Sequence, residues 1–339
     1  MDLTQSYPNI ISYEILSQYI LNKINFEYYD NLYLVNENIY NDNRNDNKND
    51  NRNDNRNDNR NNNIEIINGV YENIEVETDE IKNKHEDAWE SAINDDKFYI
   101  NNKIARIFPI LKNFNNFSKI KIDEESFCYI TIREIADIIS KIICYHLLEH
   151  NLNPQKCSII DYTSGVGGNV LSFGKFFKLV YAIELDELRV EYLKNNIDVY
   201  GYKNIRVIND CAIKFNNDKL IETNPNIVFI DPPWGGAGYK DSDKLTLSLG
   251  SVNLEELVIN IIDKFSIYFK QIIDLNQKEK YNNYNNKFIV LKLPKNYDVE
   301  YFYNYMKERN NYDNFNIVMY LYVLNKMLII VCELQYTYY

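Results

Sequence analysis

The sequence has 339 residues, with 37 Lys and Arg against 49 Asp and Glu, which gives a formal net charge of −12. This length allows about two domains with a sizeable core, and the acidic balance excludes a protein that clamps a nucleic-acid backbone through a wide basic face. The five Cys form no CxxC pair and there are only three His, so the sequence offers no zinc-type ligand cluster and no metal is expected. No apolar run reaches about 18 residues, and no basic segment precedes an apolar one at the N-terminus, so we expect a soluble, intracellular protein without membrane contact.

Composition divides the chain into four segments. Residues 1–40 form a leader whose apolar side chains, such as Ile11, Ile15 and Tyr19, have helical spacing, so a short helix is expected there. Asn41–Asn63 contains no apolar residue that could offset the entropy of ordering it, which predicts a disordered low-complexity linker. Residues 64–125 are polar with scattered aromatic side chains and predict a small helical cap. Residues 126–339 form the remaining domain.

Short apolar runs alternate with helical stretches in this last segment. A helix is predicted over Ile132–Leu148, and the strands are SIIDY, LVYAIEL, IRVIN, NIVFID and FIVLKL. Continuous apolar strands separated by helices are typical of a parallel sheet covered on both faces. Two further strands, Ile317–Leu324 and Met327–Cys332, flank the Asn325–Lys326 connection and predict an antiparallel hairpin. The expected fold is a doubly wound, mostly parallel, seven-stranded Rossmann-like α/β sheet that ends in this hairpin.

A glycine loop and three acidic residues follow the first three parallel strands. Asp161 ends the first strand, and Gly165 and Gly167 lie in the loop after it, where glycine lets the backbone approach a ligand closely. Glu184 ends the second strand and Asp210 follows the third, so both carboxylates are expected at the same edge of the sheet. The pattern predicts an adenosine that lies across this edge. The alternative is a set of turn glycines with solvated strand-end acids.

The fourth strand ends in a stiff corner, Asp231-Pro232-Pro233-Trp234. The prolines fix φ and supply no N–H, so their carbonyls can accept hydrogen bonds. An exocyclic amine has two N–H donors, one for the Asp231 carboxylate and one for the Pro232 carbonyl, while Trp234 offers a face on which the base stacks. The corner and the glycine loop together predict a methyltransferase that moves a methyl group from S-adenosylmethionine to an amine, mainly by alignment and proximity. The alternative for the corner is a tight turn that only ends a strand.

Four motifs identify a family. DYTSGVGGNV, KNNIDVYG, DPPWGGAGY and LPKN resemble the corresponding motifs of the trimethylguanosine synthase family, which methylates the N2 amine of 7-methylguanosine RNA caps. The resemblance extends from about Trp89 to Cys332. It implies a methyltransferase domain over 126–339, a 7-methylguanosine-capped RNA or cap nucleotide as partner, and 2,7-dimethyl- or 2,2,7-trimethylguanosine as product. A monomer is expected.

The resemblance also implies roles for individual residues. The catalytic corner consists of Asp231, Pro232 and Trp234. Residues that bind S-adenosylmethionine are Thr131, Asp161, Gly165, Gly167, Asn169, Glu184 and Asp210. Residues that bind the cap are Asn196, Pro233, Trp234, Tyr239 and Lys295. The positive charge of 7-methylguanine suits Trp234, because Trp is the best aromatic face for a cation.

One departure from the family pattern leaves an alternative open, and a second loses a bidentate contact with the cap phosphates. Asp231 stands where the family has Ser, and Lys295 stands where it has Arg. The Asp favours a second enzyme hypothesis, an N6-adenine or non-cap guanine-N2 methyltransferase that acts on DNA, rRNA or tRNA, whereas the net charge opposes it. A third hypothesis is a catalytically silent module that binds caps through Trp234.

Overall fold

The computed structural model describes residues 10–12, 103–111, 113–274, 286–309, 315–324 and 327–336. All of these belong to one of the two units into which the chain divides, residues 1–23 with 103–339; the other unit is 24–102. The predicted linker at 41–63 and the predicted cap as far as residue 102 lie outside the described residues and stay predictions. Across the described ranges no helix is long and apolar enough to cross a bilayer, and no cluster of His, Cys, Asp and Glu could hold a metal ion.

Short, apolar, β-branched runs form one eight-stranded sheet, because such side chains fit a pleated surface that is buried on both faces. Its order is β1-β9-β10-β8-β5-β2-β3-β4, and β6 and β7 form a separate two-stranded ribbon. Within the described sheet only β10 runs antiparallel to its neighbours. The strands are β1 Ile10–Ser12, β2 Ser158–Asp161, β3 Leu179–Glu184, β4 Ile205–Asn209, β5 Ile227–Ile230, β6 Ser248–Leu249, β7 Val252–Asn253, β8 Asn286–Pro294, β9 Phe315–Val323 and β10 Met327–Tyr336.

Helices cover both faces of this sheet. Val228 of β5 belongs to the same buried cluster as Leu257 and Phe265 of a long helix. Its neighbour Phe229 points to the other face, where its ring meets that of Phe173 edge-on at 5.1 Å. Residues 103–107 are helical, and the helices that follow are α1 Glu124–Tyr129, α2 Arg133–Glu149, α3 Gly168–Phe176, α4 Glu187–Tyr200, α5 Ala212–Asp218, α6 Leu220–Thr223, α7 Leu254–Asp274 and α8 Val299–Glu308, with 3-10 helices at Phe114–Lys119, Pro154–Lys156 and Gly236–Asp241.

The strand order creates a switch point between β2 and β5. The chain proceeds from β2 outward through β3 and β4, and then returns to the other side of β2 to form β5. Ligands of open α/β sheets bind at the carboxyl ends of the strands on either side of such a reversal. Asp161 ends β2 and Asp231 follows β5, so the two motifs predicted to carry chemistry meet at this point.

The doubly wound fold and its terminal hairpin are confirmed. Every strand predicted from an apolar run is present, and the helix predicted over Ile132–Leu148 is α2. Strands β9 and β10 pair antiparallel as predicted, while residues 325–326 between them lie outside the described residues.

The prediction of a helix in the leader is wrong for the three leader residues that the structure describes. Ile10–Ser12 form strand β1, which pairs in parallel with residues 321–323 of β9. Two β-branched residues in succession favour an extended backbone, and β9 would otherwise present an edge of unpaired N–H and C=O groups. Tertiary pairing therefore overrides the helical spacing at these residues, and the sheet has eight strands instead of seven.

Candidate active site

Glycines shape the loop between β2 and α3. Gly165 and Gly167 have φ of +51° and +111°, in the left-handed region that favours glycine. Gly168 is required for a different reason, since a Cβ there would lie 2.8 Å from the carbonyl oxygen of Thr131. The loop thus holds the backbone before α2 against the first turn of α3.

Glu184 fixes this loop from the neighbouring strand. Its Oε2 accepts a hydrogen bond from the backbone N–H of Gly165 at 2.8 Å, and its Oε1 accepts from that of Asp186 at 2.9 Å. Each carboxylate oxygen keeps a further lone pair, so Glu184 can also accept from the hydroxyl groups of a ribose. The sequence predicted only the ligand contact, and the structure adds the role of holding the loop in place.

Asp161 is fully buried at the end of β2. Its Oδ1 accepts a hydrogen bond from the backbone N–H of Thr163 at 2.9 Å, whereas its Oδ2 is buried without a partner among the described residues. Burial raises the pKa of the Asp161 carboxyl to about 8, and the negative charges of Asp231 and Glu184 act in the same direction. A buried oxygen without a partner is expensive unless a ligand supplies one, which fits a polar group of a bound molecule.

A chain of hydrogen bonds joins the glycine loop to the Asp-Pro-Pro-Trp corner. Asn169 Nδ2 donates to Thr131 Oγ1 at 3.1 Å, and Thr131 Oγ1 in turn donates to Asp231 Oδ2 at 3.5 Å. The Oδ1 of Asn169 is buried without a partner in the described part of the chain, like the Oδ2 of Asp161. Thr131 and Asn169, both predicted to bind S-adenosylmethionine, therefore lie between the two halves of the site.

Asp210 lies one strand farther out, directly after β4. Its Oδ1 accepts from the backbone N–H of Cys211 at 2.9 Å, and its Oδ2 forms an ion pair with Lys219 Nζ at 3.3 Å. Burial would raise the pKa of Asp210, but the hydrogen bonds from Lys219 and Cys211 outweigh it and the pKa is lowered. Asp210 is thus ionised and can accept a hydrogen bond from an amino group.

The corner after β5 brings a carboxylate and an indole together. Pro232 is buried and Pro233 is exposed, while Asp231 and Trp234 are partly buried. The Trp234 ring meets the Tyr239 ring edge-on, with 5.4 Å between the centroids. The structure therefore supplies the acceptor and the aromatic face that the sequence predicted for a planar amine.

Lys292 is a site residue that the sequence reasoning missed. It lies on β8, which neighbours β5, and its Nζ is 2.6 Å from Asp231 Oδ2 and 4.8 Å from the centroid of the Trp234 ring. Burial raises the pKa of the Asp231 carboxyl, and Lys292 is the largest influence that opposes it. The indole N–H of Trp234 also favours the ionised carboxylate, although it is buried without the geometry of a hydrogen bond. The signal in the sequence was a lysine within the apolar run FIVLKL.

Asn296, in the LPKN motif, is a second missed residue. Its Nδ2 donates to the carbonyl oxygens of Tyr239 at 2.7 Å and Ser242 at 2.6 Å. These bonds hold the loop that carries Tyr239 against the end of β8. Lys295, predicted to bind the cap, follows β8 and is exposed to solvent.

The structure corrects the role assigned to Asn196, which was expected to line the cap pocket. Its side chain is 0% exposed, and its Nδ2 donates to the carbonyl oxygens of Lys121 at 2.8 Å and Val166 at 3.0 Å. Its Oδ1 accepts from the backbone N–H of Lys121 at 2.8 Å and from Asn195 Nδ2 at 3.2 Å. Its hydrogen-bonding groups are engaged within the chain, so Asn196 ties the glycine loop to the segment before α1 instead of contacting a ligand.

The chain matches a family model described as RNA cap guanine-N2 methyltransferase over residues 156–335. The match includes the glycine loop, the Asp-Pro-Pro-Trp corner and Lys292.

Three relatives show how far the similarity extends. Uncharacterized protein L320 of Acanthamoeba polyphaga mimivirus is 37% identical over 218 residues, which cover 59% of this chain and 77% of that protein. The trimethylguanosine synthase of Schizosaccharomyces pombe is 31% identical over 147 residues, 41% of this chain and 57% of that enzyme. The trimethylguanosine synthase of Saccharomyces cerevisiae is 24% identical over 216 residues, 58% of this chain and 67% of that enzyme.

Proposed function

The chain belongs to the family of RNA cap guanine-N2 methyltransferases, and from this premise we propose that it transfers a methyl group to the N2 amine of a 7-methylguanosine cap. The S-adenosylmethionine-dependent methyltransferase class follows from the family and the fold. One observation carries the choice of acceptor, namely that Asp231, Pro232 and Trp234 stand together at the switch point of the sheet. The proposed products are 2,7-dimethylguanosine and 2,2,7-trimethylguanosine, and the proposed setting is an intracellular monomer.

The residues around the glycine loop fit S-adenosylmethionine. Asp161 Oδ2 and Asn169 Oδ1 are buried oxygens that lack partners within the described residues, and Glu184 and Asp210 present acceptors at the adjacent strand ends. Acceptors at these positions suit the hydroxyl and amino groups of an adenosine. When bound there, S-adenosylmethionine supplies a methyl group already activated on a sulfonium sulfur.

The corner holds and orients the acceptor amine. Asp231 accepts one N–H of N2 and the carbonyl of Pro232 accepts the other, so the nitrogen lone pair points away from both. The C–N bond forms as the C–S bond breaks, and the nitrogen then releases one proton to the Asp231 carboxylate or to water. Most of the rate enhancement therefore comes from alignment and proximity.

Trp234 and the charge of the protein suit a cationic base. The indole can stack on 7-methylguanine, and the edge of Tyr239 supports the indole from 5.4 Å. A single cationic ring does not need a broad basic groove, so a net charge of −12 is compatible with this substrate. A long nucleic-acid duplex would be repelled by the same charge.

The test is to incubate the full chain and methyl-labelled S-adenosylmethionine with 7-methyl-GTP, GTP or an adenine-containing oligonucleotide. Chromatography of the digested products should place the label on N2 of 7-methylguanine. Label on adenine N6, or equal transfer to GTP and 7-methyl-GTP, would overturn the proposal. An adenine product would favour the second enzyme hypothesis, which Asp231 supports.

A further inference from the structure

We propose that Lys292 is a positioning residue of the methyl-transfer site, which holds one oxygen of Asp231 so that the other faces the acceptor amine. The role given to Asp231 rests on the proposed function. The ion pair itself rests on geometry, since Lys292 Nζ lies 2.6 Å from Asp231 Oδ2 with side chains 4% and 16% exposed.

The hydrogen bonds of Asp231 show how the carboxylate is oriented. Lys292 and Thr131 both donate to Oδ2, at 2.6 Å and 3.5 Å. Within the described residues, no hydrogen-bond donor of suitable geometry is found at Oδ1. A carboxylate held by one oxygen has its other oxygen fixed in direction, because the two share a plane.

Charge explains why a lysine at this position matters. An ammonium group buried on β8 requires a counter-charge, and a carboxylate buried after β5 requires one as well. Burial disfavours the ionised form of Asp231, and Lys292 is the largest influence that favours it. Asp161, at the end of β2, has its pKa raised to about 8, so at neutral pH it is mostly protonated and adds little negative charge beside Asp231.

The same ammonium also contacts the stacking residue. Lys292 Nζ lies 4.8 Å from the centroid of the Trp234 ring, which is within cation–π distance. Lys292 therefore contacts both the group that accepts the amine and the ring on which the base stacks. Loss of the Lys292 charge should therefore affect both the ionisation of Asp231 and the surroundings of the Trp234 ring. Loss of a side chain that only fills space on β8 would not have this double effect.

Strand β8 also provides a matched control, Lys287. Its side chain is fully buried, but its Nζ donates to Asn224 Oδ1 and to the carbonyl oxygen of Pro225, both at 2.7 Å. These partners are uncharged, so Lys287 has no carboxylate to orient. Lys287→Met thus removes a buried amine from the same strand without a direct effect on the corner.

The parent protein is the full chain with Trp89→Phe, which leaves Trp234 as the single indole. The experiment compares three variants of this parent, namely Lys292→Met, the double variant Lys292→Met/Asp231→Asn, and Lys287→Met. The first readout is Trp234 fluorescence from pH 5 to 9 without ligands. Lys292→Met should add a transition to the titration of the parent, because Asp231 loses its counter-charge and its pKa rises. Asp231→Asn in the same chain should remove that transition, and Lys287→Met should show none.

The second readout is the pH dependence of kcat with the methyl acceptor. In Lys292→Met the acid limb of the kcat profile should move to higher pH, because the pKa of Asp231 rises. At pH 7, kcat should fall by about tenfold for each unit by which the pKa of Asp231 exceeds 7. KM for S-adenosylmethionine should change little. Absence of the added fluorescence transition, or a loss of kcat that does not vary with pH, would overturn the role of Lys292. Failure of the parent to methylate 7-methylguanosine would overturn the proposed function instead, and the fluorescence titration would still decide the role of Lys292.

Discussion

Thr163 accepts a hydrogen bond from the backbone N–H of Asp231, with 2.9 Å between the nitrogen and Oγ1. Thr163 also donates its own backbone N–H to Asp161 Oδ1 at 2.9 Å. A single threonine therefore links the end of β2 to the corner after β5, across the switch point of the sheet. The relative position of the two halves of the active site depends on this side chain.

Thr163→Val should weaken both folding and catalysis. Valine keeps the shape but leaves the Asp231 N–H without an acceptor, at a cost of about 1–3 kcal/mol in the free energy of unfolding. We expect kcat to fall because Asp231 is no longer held in place. Urea denaturation and steady-state kinetics measure the two effects, and Thr163→Ser, which retains the hydroxyl, is the control. Equal kcat for the valine and serine variants would show that the link does not matter.

Asp161 should make the folded state less stable as the pH rises. Its pKa is raised to about 8 in the folded protein, above its unfolded value of about 4. Between these values the folded state retains a proton that the unfolded state has released, so the free energy of unfolding falls by about 1.4 kcal/mol per pH unit at most. Asp161→Asn should flatten this slope between pH 5 and 8. Chemical denaturation of both proteins across that range checks the sign, and parallel slopes would contradict the shifted pKa.

The same carboxyl group, and the carboxylate of Glu184, should contribute to cofactor affinity. Asp161→Ala or Glu184→Ala each removes a hydrogen-bonding group at the adenosine edge, which should weaken S-adenosylmethionine binding by about 1–3 kcal/mol. Equilibrium dialysis with labelled cofactor gives the affinity. Glu187→Ala, on the exposed first turn of α4, provides a charge-matched control. Unchanged affinity in both active-site variants would remove the adenosine from this edge.

Methyl transfer should depend on the N7 methyl group of guanine through Trp234. The cationic ring gains about 1–2 kcal/mol from the indole when it is desolvated, so GTP should be at least about tenfold poorer than 7-methyl-GTP. Trp234→Ala should remove most activity, and Trp234→Phe should retain part of it because Phe stacks with a weaker quadrupole. Competition between the two nucleotides in one reaction gives the ratio. A preference that survives Trp234→Ala would assign the discrimination to another residue.

Asn196→Ala should act on stability first. The substitution leaves the Lys121 and Val166 backbone groups without their buried partner, which should lower the free energy of unfolding by at least about 2 kcal/mol. Asn195→Ala, which loses only bonds from a partly exposed amide, should cost less. Thermal unfolding of the two variants provides the comparison. A stable Asn196→Ala protein with a higher KM for the cap would restore the ligand role expected from the resemblance.

Local patterns predicted the fold and the motifs, but not the contacts between elements. The apolar runs at Ser158–Asp161 and Ile227–Ile230 determine strands by themselves, so β2, β5 and the acidic residues that follow them could be located in advance. Lys292 could not be paired with Asp231 because the partners are 61 positions apart and meet only when β8 lies beside β5. The buried role of Asn196 and strand β1 were hidden for the same reason, since each depends on a distant segment of the chain.

The strand that comes latest along the chain, β10, lies inside the sheet between β8 and β9. During translation, β2 to β5 can pair before β10 has been made. Until then one edge of β8 is unpaired, and β9 lacks the strand that joins it to β8. Strand β1 is synthesised before the other described strands, but it can pair only after β9 has been made, because its partners are residues 321–323. Pairing between segments so far apart in sequence is slow, and strands that are not yet paired expose edges that promote aggregation. Until β10 has been synthesised, this side of the sheet therefore has unpaired edges, and the nascent chain depends on whatever protects them.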